Sequence, residues 1–149
     1  MKEGIVQAKG NFIAFLDGDG QNDPADIPGL LNELKKGNWD LVAGFRKNRK
    51  DNLVNRKIPS ALANRMIRTV TGTTIKDLGC TLKVMTSELA QKLNLKDGMH
   101  RFIPVLADKL GARMTQMEVN HYPRRIGKTK YGWGRTFKVI RDLFRVRAN

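Results

Sequence analysis

The stretch Asn11–Leu16 (NFIAFL), followed at once by Asp17-Gly-Asp-Gly-Gln-Asn-Asp-Pro, constrains the fold more than any other part of the chain. A short apolar run rich in Phe and Ile has the length and composition of a buried strand. The Asp/Gly segment after it forces the chain to leave that strand in a tight polar turn. Asp26-Ile-Pro then opens a helix with Ile27, Leu30, Leu31 and Leu34 on one face and Gly37 as its stop. Asp40–Phe45 (DLVAGF) reads as a second buried strand. Strand, helix and strand in this order define an α/β layer architecture. The expected fold is an open, mostly parallel sheet flanked by helices, with the strands at 11–16 and 40–45 as parallel neighbours joined by a helical crossover.

The remaining elements continue the alternation. Residues 2–9 read as the end of a helix stopped by Gly10, and 57–71 as another helix. Thr81–Met85 is a short strand, Ser87 caps a helix running into Leu93, and His100–Leu110 is helical. Met114–His121 alternates like a strand, and Trp133–Arg147 is a final helix. With no repeat or linker, residues 1–132 are expected to form one catalytic portion, followed by a basic amphipathic helix at 133–149. An opening helix normally follows a strand, so the sheet is expected to be incomplete at the N-terminus.

Charge narrows the partners. The chain carries a formal net charge of +14, unevenly spread: residues 1–45 sum to −3 and residues 46–149 to +17. An acidic front with a carboxylate cluster and a strongly basic remainder suit phosphate chemistry, whether nucleotide, nucleic acid or anionic membrane. The single cysteine, Cys80, excludes an internal disulfide and a cysteine-rich zinc site. No apolar run is long enough to span a bilayer, and the opening MKEGIVQAKG looks like amphipathic helix rather than a targeting segment.

Asp17, Asp19, Gln21 and Asp23 alternate just beyond the first strand. Ligands of open α/β sheets bind at the carboxyl ends of strands. Two aspartates and an amide are hard oxygen donors suited to Mg²⁺ or Mn²⁺, ions that also take substrate phosphates as ligands. Asp-x-Asp is also ordinary turn composition, so context has to decide. An EF-hand loop needs Gly and Glu where Asn22 and Pro28 stand. A haloacid-dehalogenase-like phosphatase wants Thr or Val at Gln21 and a late acidic pair, and the chain has neither. That phosphatase stays open as a minor alternative.

The ordered set of motifs goes further. FIAFLDGDGQNDPADIPGLL, Gly44-Phe-Arg46, Arg56 with Ser60, Asp77-Leu-Gly-Cys80, His100-Arg-Phe-Ile-Pro104 and Arg124-x-x-Gly-Lys-Thr-Lys130-Tyr-Gly follow one another along the chain. In that order they resemble the family-2 inverting glycosyltransferases, particularly the dolichyl- and polyprenyl-phosphate sugar synthases. The resemblance runs from about residue 4 to about residue 145. The family's leading strand–helix–strand unit, with its Asp-Asp-Gly-Ser turn, has no counterpart in the sequence.

The resemblance implies a nucleotide-diphospho-sugar transferase-like fold. It also implies metal-dependent transfer of a sugar from a nucleotide-sugar donor to a polyprenyl phosphate acceptor. Asp17, Asp19 and Gln21 would hold Mg²⁺ or Mn²⁺. Arg46, Arg56 and Ser60 would bind phosphate through guanidinium forks and a hydroxyl. Asp77 would be the active-site aspartate, orienting sugar or acceptor, since a phosphate acceptor is already ionised at neutral pH. Arg124, Lys128 and Lys130 would form a basic loop over the acceptor phosphate.

Lone histidines more often pack than ligate, so His100 and His121 are left out of the site. Trp133, Phe137, Ile140 and Phe144 give the last helix an apolar face, and Arg135, Lys138, Arg141, Arg145 and Arg147 surround it. That pattern fits an anionic membrane surface, and with it a peripheral position at the cytoplasmic face. The alternative is a helix packed on the domain by its apolar stripe. A nucleic-acid-binding module is the non-enzymatic alternative. Few aromatics and no reader motif count against it, so no nucleic-acid partner is expected.

Overall fold

The computed structural model describes residues 1–46, 65, 68–69, 72–95 and 99–123. The expected elements appear at nearly the expected places. Helix α1 spans Lys2–Gln7, strand β1 Phe12–Phe15, helix α2 Ile27–Lys36 and strand β2 Leu41–Phe45. Strand β3 spans Lys83–Thr86, helix α3 Ser87–Lys92, helix α4 Ile103–Lys109 and strand β4 Met114–Glu118. A 3-10 turn at Pro24–Asp26 precedes α2, and another at Met99–Phe102 precedes α4. Of the helix expected over 57–71, only residues 65, 68 and 69 are described. A bond from the Gly72 N–H to the Arg68 carbonyl at 2.8 Å closes one helical turn there. The helix expected at 133–149 lies outside the described residues.

Local details follow from side-chain chemistry. Asp23 caps the first 3-10 turn, its Oδ1 accepting from the Ala25 N–H at 2.9 Å. Helix α2 stops at Gly37, and the reversal is made by Asn38 at φ 53°. Gly37 lies under the Trp39 indole, where a Cβ would collide with Nε1. The cap of α3 is Thr86, one residue before the expected Ser87: its Oγ1 accepts from the Leu89 N–H at 3.3 Å.

The sheet differs from expectation in one respect that matters for function. Its order is β1-β3-β2-β4, with β3 antiparallel to both β1 and β2 and β4 parallel to β2. Strands β1, β2 and β4 therefore share a direction, but β1 and β2 are not neighbours. Helix α2 carries the chain past the gap that β3 later fills. The register pairs Lys83 with Phe15 on one side and with Ala43 on the other.

Two apolar layers cover the sheet. Ile13, Phe15, Leu41, Ala43 and Met85 pack on one face with Ile5 of α1, Leu89 of α3 and Ile103 of α4. Val42, Leu82 and Val84 pack on the other with Leu30 and Leu34 of α2. Leu30 and Leu41 are fully buried, and truncating either to Ala would cost about 2–5 kcal/mol. Gly44 lets three strands close up, since a Cβ there would meet Val119 Cγ2 at 2.9 Å and the Leu82 carbonyl at 3.0 Å.

Candidate active site

Inserting β3 antiparallel puts its beginning at the edge where β1, β2 and β4 end. That edge collects Asp17–Asp23 after β1, Arg46 after β2, Asp77–Leu82 before β3 and Val119–Tyr122 after β4. It is the carboxyl edge at which open α/β sheets bind ligands.

The acidic loop is held in shape from several sides. Asp19 Oδ1 accepts from the Gln21 N–H at 3.1 Å, a local turn that leaves Asp19 half-buried beside an exposed Asp17. Asn22 is buried, and its Nδ2 donates to Thr81 Oγ1 at 2.9 Å, tying the loop after β1 to the segment before β3. The Gln21 carbonyl accepts from the Tyr122 N–H at 2.9 Å, and the Tyr122 hydroxyl donates to Asp23 Oδ2 at 3.0 Å. Asn120 holds Asp26 through its N–H at 2.7 Å and Nδ2 at 2.9 Å. Asp23 and Asp26 are therefore scaffold, which leaves Asp17 and Asp19 as the carboxylates at the strand end.

Arg46 and Asp77, singled out for separate roles, are brought together. Arg46 Nε donates to Asp77 Oδ2 at 2.7 Å, Nη2 to Oδ1 at 2.9 Å, and the Arg46 N–H to Oδ2 at 3.3 Å. Both side chains are about nine-tenths buried. Such a paired fork fixes the guanidinium plane as well as its charge. Gly79 makes room for it, because a Cβ at that position would meet Arg46 Nη2 at 3.1 Å.

Asp17, Leu78, Gly79, Thr81, Lys83, His100 and Arg101 line a cavity of about 50 Å³. Asp17 of the acidic loop and Leu78 and Gly79 of the Asp77–Cys80 turn thus face one space. Lys83 is 1% exposed, and its Nζ donates to the Cys80 carbonyl. Burial pulls its pKa down from 10.5 to about 8, partly offset by Cys80, Asp77 and Asp17 nearby. Burial pushes the Cys80 thiol up, against the lowering effect of Arg46 and Lys83, which makes it an inert core thiol.

Sequence reasoning missed Lys83, Asn22 and Arg101, and it left His100 out of the site although His100 lines the cavity wall. The signal for Lys83 was available: a lysine opening the apolar strand KVMT, with Leu82 and Val84 on either side. His121 is buried, with a backbone bridge to Asn22. Arg56, Ser60, Arg124, Lys128 and Lys130 lie outside the described residues.

This mixed sheet, with carboxylates at the end of β1 and an aspartate turn before an inserted antiparallel strand, is the architecture of a sugar-nucleotide transferase fold. Solved structures of glucosyl-3-phosphoglycerate synthase from Mycobacterium tuberculosis share it. The complex with phosphoglyceric acid superposes with a TM-score of 0.74 at 19% identity, over 97% of this chain and 52% of that one. The complex with Mn²⁺, uridine-diphosphate-glucose and phosphoglyceric acid also gives 0.74, at 17% identity and the same coverage. The model of glycosyl transferase family 2 matches residues 1–93, and the chain belongs to that family. Membership displaces the phosphatase alternative.

Among its curated relatives is the dodecaprenyl-phosphate galacturonate synthase of Rhizobium johnstonii, 46% identical over 148 residues, 98% of this chain and 44% of that one. The undecaprenyl-phosphate 4-deoxy-4-formamido-L-arabinose transferase of Yersinia pestis is 35% identical over 140 residues, 94% of this chain and 42% of that one. The chain therefore spans less than half the length of these relatives.

Proposed function

We propose that this chain builds the reaction edge of a glycosyltransferase that moves a sugar from a nucleotide-sugar donor to a polyprenyl phosphate, with inversion at the anomeric carbon. The observation that carries the reading is the cavity shared by Asp17 and the Leu78–Gly79 turn. Similarity to two relatives named as polyprenyl-phosphate sugar transferases supports the acceptor class.

The donor set fits Mg²⁺ or Mn²⁺. Among the described residues no three His, Cys, Asp or Glu side chains stand together as a protein cage. Asp17 and Asp19 with the Gln21 amide instead supply the few oxygen donors these ions take when phosphate oxygens and water complete the shell. A bound ion would offset charge on the departing nucleoside diphosphate. Asp77, clamped by Arg46, orients the reacting groups, and the guanidinium adds positive charge beside the transferred centre. A phosphate acceptor attacks as an anion, so no strong base is required. Arg56 and Ser60, with Arg124, Lys128 and Lys130, are the further basic and hydroxyl residues proposed to bind phosphate, by the family resemblance.

No helix among the described residues is long and apolar enough to cross a membrane. The basic composition of segment 133–149 suits the anionic headgroups that surround a polyprenyl phosphate, which supports a peripheral position at the cytoplasmic membrane surface. The excess of positive charge serves that surface and the phosphates rather than nucleic acid.

These 149 residues span less than half the length of the relatives and are expected to give no measurable transfer alone. The test is therefore made in a full-length family-2 enzyme carrying them: transfer of radiolabelled sugar from a panel of nucleotide sugars into solvent-extractable polyprenyl phosphate. Product that forms with Mn²⁺ and disappears with chelator or in Asp19→Ala is the expected result. Transfer that is indifferent to both would refute the site.

A further inference from the structure

The cavity beside Asp17 contains cations that the roles above do not use. Lys83 rises from β3 between Phe15 and Ala43, on the sheet face that carries Met85 and Leu41, and is 1% exposed. Burying an ammonium in such a layer is costly unless its charge and its donors are used. An ammonium has three donors. One goes to the Cys80 carbonyl, and Lys83 is one of the residues that line the cavity. Arg101, half-buried, and His100 approach the same space from the turn before α4. Among the described lining residues the one carboxylate is Asp17, whose charge a divalent ion would cover. A small polar cavity with Lys83 and Arg101 among its lining residues suits an anionic oxygen group.

We propose that this cavity is a phosphoryl subsite in which Lys83 and Arg101 hold phosphate oxygens of the donor diphosphate or of the acceptor phosphate. This rests on the sugar-transfer reading above and adds two binding residues to it. Lys83 also ties the Asp77–Cys80 turn to the subsite through the Cys80 carbonyl, so phosphate capture and placement of Asp77 are linked.

The experiment is calorimetric titration of the chain with two probes: inorganic pyrophosphate with Mn²⁺ for the donor source, and farnesyl phosphate without metal for the acceptor source. Wild type is compared with Lys83→Met, which keeps the length of the side chain without its charge, and with Arg101→Gln. Loss of a charge-assisted hydrogen bond predicts about tenfold or greater weakening of one probe in both variants. The probe that weakens names the source. If both variants bind both probes as wild type does, Lys83 and Arg101 are only walls and the subsite is refuted. If Lys83→Met fails to fold by circular dichroism, Arg101→Gln decides alone. If wild type binds neither probe, the phosphate reading of the whole site falls and the subsite with it. Wild-type affinity retained in the variants refutes the subsite alone.

Discussion

Arg46 and Asp77, 31 residues apart in sequence, meet in a two-pronged ion pair at 2.7 and 2.9 Å that joins the end of β2 to the turn before β3. Removing one partner of a largely buried pair leaves the other charge stranded. Asp77→Ala should therefore lower unfolding stability by about 3 kcal/mol. The double replacement Arg46→Met/Asp77→Leu should recover most of that loss. Urea denaturation of Asp77→Ala, Arg46→Met and the double replacement measures it. Strictly additive losses would show that the pair is not coupled.

Lys83 gives stability a distinctive pH dependence. Its folded pKa, about 8, lies below the ordinary 10.5, so the unfolded chain binds more protons between those values. Stability then rises with pH through that window, by roughly 1.4 kcal/mol per unit of separation at most. Below pH 8 the full cost of the buried charge is present. Lys83→Met should flatten this segment of the profile. Chemical denaturation at several pH values from neutral to about 10.5 reads the slope. A wild-type slope of zero or of opposite sign there would contradict the burial account.

The first strand and α2 were legible because a short apolar run, an Asp/Gly exit and a proline-started helix each have one physical reading. The place of β3 was not. Thr81–Met85 could be recognised as a strand, but its insertion between β1 and β2 depends on side chains contributed from both cores, which no local pattern records. The consequence for the site is direct. Asp17 and Asp19 could be named from residue type and position and Arg46 and Asp77 from the family resemblance, whereas the Arg46–Asp77 pair and the burial of Lys83 required the strand order. The cap at Thr86 rather than Ser87 is a smaller case, two adjacent hydroxyls of which the backbone geometry selects one.

Asn22 ties the acidic loop to Thr81 from a buried position. Asn22→Ala should cost about 1–2 kcal/mol of stability, as a lost buried hydrogen bond. It should also weaken Mn²⁺ binding, because Asp17 and Asp19 lose their anchored backbone. Thermal unfolding combined with Mn²⁺ titration checks both effects. Unchanged metal affinity in a destabilised variant would make Asn22 purely structural.

The segment Trp133–Arg147 should bring the chain to anionic vesicles at low salt and release it at high salt, since each basic residue near such a surface contributes about 1 kcal/mol. Replacing Phe137 and Phe144 by Ser should weaken co-sedimentation at every lipid composition. Wild-type protein that ignores anionic vesicles at low salt would leave the segment as a helix packed by its apolar face.

A divalent ion held by Asp17 and Asp19 should receive a nucleoside diphosphate. Electron paramagnetic resonance of Mn²⁺ titrated into the chain, with and without uridine diphosphate, tests it most directly. Nucleotide should tighten Mn²⁺ binding in wild type, and Asp17→Asn and Asp19→Ala should each weaken the ternary complex by about tenfold or more. Equal Mn²⁺ binding with and without nucleotide, or variants indistinguishable from wild type, would contradict it.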